Sequence, residues 1–528
     1  MLIRIDKNLA IAELDYGPCP SEYKQTTDWL DEQYKVRYGR DWEELVIDLE
    51  KVNWRTEHLI DGRFVAGEGD DLVVENPATE EVLAIVRQPS GAQVDAAVLA
   101  ARRAFESGSW RDAEERRAVL HRITDGLEKR ANEFRAALIA EIGTPASISG
   151  FLQFQGPLDM FRDIAERATA DRTRRLGVDS RTPASESIIR YEPVGVVAAI
   201  GAYNNPLLYM ASKAGAALAA GCTAVFCPSA LAPLTTLLFG EIVREAGVPE
   251  GVLNIVAGER DVAQALSTHP EVDKVTMTGS VEVGRQVMRQ AADTVKGVVL
   301  ELGGKSAGIV LPGADLSKVA LPLHGRYLRN AGQGCQSPTR LLVPQSMFDD
   351  FIDISREAYR QIPVGDPLDS KTMAGPLITQ AHRARIEGYI ERALAGGGEV
   401  LAGGGRPNLE KGWFMNGALL GGLGNDTEIA CSELFGPVAM VVPYHDVDHA
   451  ITIANDSKFG LAASVFGPTD LAQDVATRLR AGTVHINGGG AFRVDSVLAG
   501  WKQSGIGREW GEDGILEFLE TQHIQWVI

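Results

Sequence analysis

The sequence predicts an α/β protein with two parallel-sheet domains in tandem, and three observations carry that prediction. A chain of 528 residues exceeds one ordinary core, so two or three domains are expected, each burying its own apolar interior. After Pro193, apolar runs of strand length alternate with helical patterns, and such βαβα alternation means a parallel sheet covered by helices on both faces. The alternation starts again at Ser306 and runs to Asn487, which reads as a second domain of the same kind.

Taken in order, residues 1–57 differ in texture from the rest. Stretches 28–34 and 41–49 look like short amphipathic helices separated by Gly39, whose aromatic residues would pack on a neighbouring surface. From His58 a hairpin pattern, Leu59-Ile60-Asp61-Gly62-Arg63-Phe64-Val65, opens a globular domain, and 92–170 is helix-rich. Residues 173–191 are polar and then strand-like. The first alternating block places strands at 194–200, 222–226, 252–256, 272–277 and 297–302, with helices at 208–220, 235–246 and 281–292. The second places strands at 308–311, 340–343, 438–442, 464–466 and 483–486. Ligands of such sheets bind beyond the carboxyl ends of the strands.

Composition removes several classes of function. Hydrophobic residues at 45% and charged residues at 23% are ordinary for a soluble globular protein. A formal charge of −19 repels phosphate backbones and anionic lipid, so neither nucleic acid nor a membrane surface is expected as a partner. The cysteines Cys19, Cys222, Cys227, Cys335 and Cys431 are scattered, with no CxxC pair. This argues for a reducing compartment and against structural disulfides or a metal site. No apolar run of membrane-spanning length and no secretory h-region is present, so the cytoplasm is the expected location.

Two stretches carry the chemistry. Gly332-Gln333-Gly334-Cys335 sets a thiol among small residues, and Glu301-Leu302-Gly303-Gly304-Lys305 ends an apolar strand in a carboxylate and a glycine pair. A thiol with a separate base is what covalent thiol catalysis requires. Each residue also has a plain reading, Glu301 as a strand-end acid and Cys335 as an inert core thiol. At Tyr203-Asn204-Asn205-Pro206 a strand ends in two amides before a helix. These are oxyanion donors or helix caps. Thr278-Gly279-Ser280 joins a strand to a helix start, whose free N–H groups suit a phosphate. Residues 279–284 have the glycine spacing of a P-loop, but Arg285-Gln286 follows where Lys-Ser/Thr is needed, which disfavours an NTPase. GxGxxG is absent. Gly304-Lys305-Ser306-Ala307-Gly308 matches the GxSxG nucleophile elbow, the basis of a competing Ser306 hydrolase reading. That motif needs a helix after it, whereas an apolar strand follows.

Together these pieces resemble the aldehyde dehydrogenase superfamily over nearly all of residues 58–528. The matching stretches, in family order, are Glu192-Pro193-Val194-Gly195-Val196 leading to Tyr203-Asn204-Asn205-Pro206, then Met277-Thr278-Gly279-Ser280, Glu301-Leu302-Gly303-Gly304-Lys305 and Gly332-Gln333-Gly334-Cys335. They continue with Gly375-Pro376-Leu377-Ile378, Glu433-Leu434-Phe435-Gly436-Pro437 and Lys502-Gln503-Ser504-Gly505-Ile506-Gly507-Arg508-Glu509. The resemblance implies two Rossmann-like parallel-sheet domains and a small β oligomerisation element. Its division would be a 1–57 extension, a cofactor-binding domain of 58–172 and 193–303, a catalytic domain of 304–514, and oligomerisation segments 173–192 and 515–528. The C-terminal strand would be an aggregation-prone free edge unless paired across subunits, so a homodimer or homotetramer is expected.

By the same resemblance, Cys335 attacks a small-molecule aldehyde as a thiolate, and the Asn204 amide with the Cys335 N–H holds the oxyanion. Hydride passes to NAD or NADP, leaving a thioester that Glu301 hydrolyses as general base. Lys213 and Glu509 match proton-relay positions. Tyr203, Gly279, Ser280, Leu302, Glu433 and Phe435 match the cofactor site. Cys227 and Ala230 depart from it, standing where the family usually has Lys and, in NAD-preferring members, often Glu. Their loss weakens or alters the adenosine end, and NAD is slightly preferred. A cofactor-impaired structural or binding member of the same fold is the non-enzymatic alternative. The expected substrate pocket is Asn205, Ser212, Gln336, Phe492 and Leu498. With Asn205 and Ser212 in place of bulky aromatics, it should be roomy and partly polar, suited to a bulky, aromatic or functionalised aldehyde.

Overall fold

The computed structural model describes residues 47–490 and 493–528. The helix expected over 28–34, and most of that over 41–49, lie outside the described residues; Leu49–Lys51 forms a short 3-10 turn whose Glu50 N–H is capped by Asp48. The first sheet has eight strands. Its parallel centre holds β1 (Val196–Ile200), β2 (Thr223–Cys227), β3 (Leu253–Ile255), β4 (Lys274–Thr278) and β5 (Gly297–Glu301) in the order β3-β2-β1-β4-β5. The hairpin His58–Ile60 and Arg63–Val65 closes one edge antiparallel, and Gly505–Ile506 closes the other. The strand order reverses between β1 and β4, which is where such sheets open a ligand crevice.

The second sheet has seven strands. It contains β6 (Ser306–Val310), β7 (Pro338–Pro344), β8 (Ala418–Gly421), β9 (Val438–Tyr444), β10 (Ala462–Phe466) and β11 (Thr483–Ile486), all parallel in the order β8-β9-β7-β6-β10-β11. Glu399–Gly403 pairs antiparallel with β8 at the edge. Successive residues of one strand enter different cores: Leu342 of β7 packs with Ile309, Met440 and Val465, whereas Leu341 and Val343 pack with Val310, Tyr327 and Phe351. Burial on both faces is why these strands read as continuous apolar runs instead of alternating ones. A separate hairpin, Asp71–Glu75 with Val82–Arg87, has half-exposed faces and was not expected from the sequence.

A third, three-stranded antiparallel sheet joins Arg174–Asp179, Ser185–Pro193 and Leu519–Val527. The C-terminal strand is an edge strand of this sheet, paired on one side within its own chain and open on the other. It pairs with Ser185–Pro193 along its whole length, within the same chain. Large apolar residues of this sheet remain exposed: Leu176, Val178, Trp526 and Val527, with Ile528 just beyond the strand.

A four-residue link, Leu302-Gly303-Gly304-Lys305, joins the carboxyl end of β5 to the amino end of β6. The cleft that matters thus lies between strand ends of one sheet and strand beginnings of the other. Two π-helical segments border it, Ser149–Gln155 and Met210–Gly215. Such widened turns shift side chains off the regular helical register and recur at functional sites.

Candidate active site

Asn204 lies just past the end of β1 and is 2% exposed. Three of its polar groups are held. Its carbonyl accepts the Gln153 amide at 2.9 Å, its Oδ1 accepts the Tyr209 hydroxyl at 2.9 Å, and its Nδ2 donates to the Gln333 carbonyl at 3.0 Å. One N–H of the amide remains for a ligand. Asn205 occupies the cap position of the following helix, Pro206–Tyr209, but its side chain makes no capping bond.

Cys335 follows an unusual piece of backbone. Asn330, Ala331 and Gly332 have φ of 52°, 52° and 71°, a left-handed run that non-glycine residues adopt only when the surroundings hold them. Gly332 is indispensable there, since a Cβ would lie 2.3 Å from the Gly436 backbone. The sequence suggested an un-core-like segment; in fact Gln333 is buried, and Gly334–Ser337 are partly exposed. Gln333 is a polar hub. Its Nε2 donates to the Asn330 and Pro376 carbonyls, and its Oε1 accepts the Ile378 N–H and the Tyr203 hydroxyl. Desolvation first, then the carboxylates of Glu433 and Glu301, push the Cys335 thiol up to about 12.

Glu301 ends β5 and is 4% exposed, and neither carboxyl oxygen has a hydrogen-bond partner. Burial, then the nearby Glu509 charge, raises its carboxyl well above the ordinary range, while Lys213 opposes the rise. Lys213 and Glu509 form a fully buried ion pair. Thr276 of β4 sits between them, 3.3 Å from the Lys213 Nζ and 3.4 Å from Glu509 Oε1.

The glycine pair after Glu301 has a steric cause. A Cβ on Gly303 would lie 2.1 Å from Glu433 Oε2, and one on Gly304 would lie 2.4 Å from the Cys335 carbonyl oxygen. Glu433 accepts the Gly304 N–H at 3.1 Å, and burial raises its carboxyl to about 7. Phe435 has φ of 57°, its carbonyl accepts from His382 at 2.8 Å, and its ring meets Tyr203 edge-on at 5.7 Å. Ser280 caps the helix α1 (Val281–Ala292) through the Val283 N–H, and the Gly279 N–H donates to the Glu301 carbonyl. Leu302 is buried, its N–H donating to the Ser504 carbonyl. The Cys227 thiol packs into the core of the first sheet, and burial pushes it up to about 12, while Ala230 is partly exposed.

Of the expected pocket residues, Ser212 is buried with an unpartnered hydroxyl, Gln336 is partly exposed, and Leu498 is buried and bridged through its backbone to Glu509. Phe492 lies outside the described residues. Ser306 starts β6, is buried, and no helix follows it, so the strand-turn-helix context of a serine elbow is missing. Sequence reasoning overlooked Gln153, Tyr209 and His382. Gln153 and His382 are distant in sequence from the groups they hold, whereas Tyr209 stands a single helical turn past the two amides.

Comparison with known proteins agrees with this geometry. A model described as the aldehyde dehydrogenase family matches residues 64–524. A 3-succinoylsemialdehyde-pyridine dehydrogenase from a Pseudomonas species is 39% identical over 473 residues, covering 89% of this chain and 98% of that protein. Among solved structures, betaine aldehyde dehydrogenase from Staphylococcus aureus in complex with NAD+ superposes with a TM-score of 0.87 at 35% identity, over 91% of this chain and 96% of the other. An aldehyde dehydrogenase C mutant from Pseudomonas syringae, complexed with NAD+ and octanal, gives a TM-score of 0.85 at 36% identity, over 91% and 98%. The chain belongs to the aldehyde dehydrogenase family and oxidises aldehydes with a nicotinamide dinucleotide.

Proposed function

We propose that the substrate is a bulky, aromatic or otherwise functionalised aldehyde, oxidised to the carboxylic acid in two stages at Cys335 and Glu301. The observation that carries this reading is the convergence on one cleft of a thiol, a buried carboxyl without partners and an amide with one free N–H. In the first stage the Cys335 thiol gives its proton to solvent and its sulfur bonds the aldehyde carbon. The oxyanion so formed accepts from the free Asn204 N–H and the Cys335 backbone N–H, donors placed where charge develops. Loss of hydride then leaves a thioester on Cys335. In the second stage Glu301 takes a proton from the water that attacks the thioester, and the acid departs as the thiol re-forms. Lys213 and Glu509, coupled electrostatically to Glu301, lie where they can pass that proton on.

A bound nicotinamide dinucleotide supplies the hydride acceptor. The residues present fit it. Thr278 Oγ1 is buried without a partner at the turn before α1, the first N–H groups of α1 suit a pyrophosphate, and Glu433 and Phe435 are the residues that would meet a ribose and the ring. NAD is the slightly favoured form, in line with the NAD+ complexes of the structural relatives. Ser212 and Asn205 give the pocket its polar side. Exposed Leu176, Val178, Trp526 and Val527 on the three-stranded sheet support a homodimer or homotetramer. No described helix is long and apolar enough to cross a membrane, which accords with a cytoplasmic enzyme.

The deciding experiment is a panel of aldehydes run with NAD and with NADP. Aromatic or hydroxylated aldehydes should give the highest kcat/KM; a maximum with acetaldehyde would overturn the substrate reading. Sedimentation at micromolar concentration should show a dimer or tetramer, and a monomer would contradict the assembly.

A further inference from the structure

We propose that Tyr209 is a positioning residue for the oxyanion amide, acting through its hydroxyl on Asn204; this rests on the reading of Asn204 as an oxyanion donor. The phenol is buried, and its hydroxyl donates to Asn204 Oδ1 at 2.9 Å. On the other side of the same amide, Nδ2 donates to the Gln333 carbonyl at 3.0 Å, two residues before the nucleophile. The amide is thus clamped at both ends, so its remaining N–H has one direction available. A hydrogen bond accepted by an amide oxygen also strengthens the amide as a donor, because linked hydrogen bonds polarise one another in a low-dielectric site. The phenol suits the task chemically. Burial, and then the charges at Cys335 and Glu509, hold it well above its ordinary range, so it stays a donor throughout the working pH.

The ring of Tyr209 touches the other half of the site. The Lys213 ammonium lies 5.9 Å from its centroid, and Lys213 pairs with Glu509. Hydroxyl and ring therefore have separable roles, the first in forming the tetrahedral oxyanion, the second in packing beside the relay pair. Tyr209→Phe removes only the hydroxyl.

The test reads acylation of Cys335 by p-nitrophenyl acetate, with neither aldehyde nor dinucleotide present. The sulfur–carbon bond forms, the carbon–oxygen bond to the aryl group breaks, p-nitrophenolate leaves, and the thiol proton goes to solvent. The tetrahedral oxyanion needs the same donors. Asn204→Ala should slow this step about 10²-fold or more, and Tyr209→Phe should slow it about 10-fold to 100-fold through a displaced amide. The hydroxyl also meets the Asn205 side chain, but its donated hydrogen bond goes to Asn204, so the double variant should be no slower than Asn204→Ala alone. Aldehyde oxidation should show the same pattern in kcat, with KM little changed. Tyr209→Met, which fills the space without a hydroxyl, should match Tyr209→Phe and covers the case of a poorly folded variant. A Tyr209→Phe rate within twofold of wild type, or losses that multiply in the double variant, would overturn the proposal. Failure of the whole protein to oxidise any aldehyde would instead strike the proposed function, because the acylation cycle stands without it.

Discussion

Asn204 follows β1 and Glu301 ends β5, with β4 between the two strands; both are buried to the same degree, 2% and 4% exposed, yet their surroundings are opposite. Asn204 is hydrogen-bonded on its carbonyl, its Oδ1 and its Nδ2. Neither oxygen of Glu301 is held by a well-formed hydrogen bond; burial and the Glu509 charge raise its pKa, and Lys213 and then the Gly500 backbone oppose the rise. A donor that must be aimed before charge develops gains from every bond that fixes it. A base that must take a proton from water, and then give it up, gains from being left free to do so. The difference separates a part built to hold still from a part built to change protonation state, and substitutions should respect it.

The largest effect belongs to the residue that both parts serve. Cys335→Ala should reduce aldehyde-dependent NAD(P)H formation by at least about 10⁴-fold, because no covalent intermediate forms; steady turnover would remove Cys335 from the mechanism. Next comes the unpartnered side. Glu301→Gln should cut steady-state turnover by about 10²-fold to 10⁴-fold while leaving a burst of one NAD(P)H per site, the stalled thioester. Sustained turnover without a burst would show that the carboxylate is not the hydrolytic base.

The same carboxyl sets a pH dependence. Its pKa is raised by burial and by the Glu509 charge, and the base must be ionised to act, so thioester hydrolysis should still be accelerating with pH well above the ordinary carboxylate range. Stopped-flow deacylation should show this rise in wild type and its absence in Glu301→Gln. An unchanged slope in the variant would assign the titration elsewhere.

The parallel strands were legible in the sequence because burial on both faces writes continuous apolar runs, as in Val196–Ile200 and Ala462–Phe466. The half-exposed hairpin Asp71–Glu75 and Val82–Arg87 went unread although Val82-Leu83-Ala84-Ile85-Val86 is an apolar run, and so did the short parallel strand Ala418–Gly421. The candidate thiol and carboxyl stood out by residue type near glycines, and the two amides by their place between an apolar strand and a helix. What holds them did not. Gln153 is 51 residues from the carbonyl that it binds, and the left-handed run at Asn330 and Ala331 is imposed by packing rather than by residue preference. The C-terminal strand was legible as an edge strand, but its intrachain neighbour at Ser185–Pro193 was not, being separated from it by most of the chain.

A carboxyl intermediate between the two extremes gives the smallest and sharpest test. Glu433 has one partner, the Gly304 N–H at 3.1 Å. Burial raises it to about 7, against the pull of that N–H, of Lys305 and of Arg385. A carboxyl whose pKa is higher folded than unfolded is harmless below its unfolded value, and its ionisation costs stability as pH rises toward and past the folded value. Glu433→Gln keeps an oxygen for Gly304 and cannot ionise. The variant should therefore match wild type below about pH 4.5 and exceed it above about pH 7, by at most about 3 kcal/mol. Urea unfolding at both pH values measures the difference. An equal gain at the two ends would mean that packing, not charge, separates the variant from the parent. A loss at high pH would mean that the Gly304 and Lys305 contacts outweigh burial, which would place Glu433 beside Asn204, among the groups built to hold still.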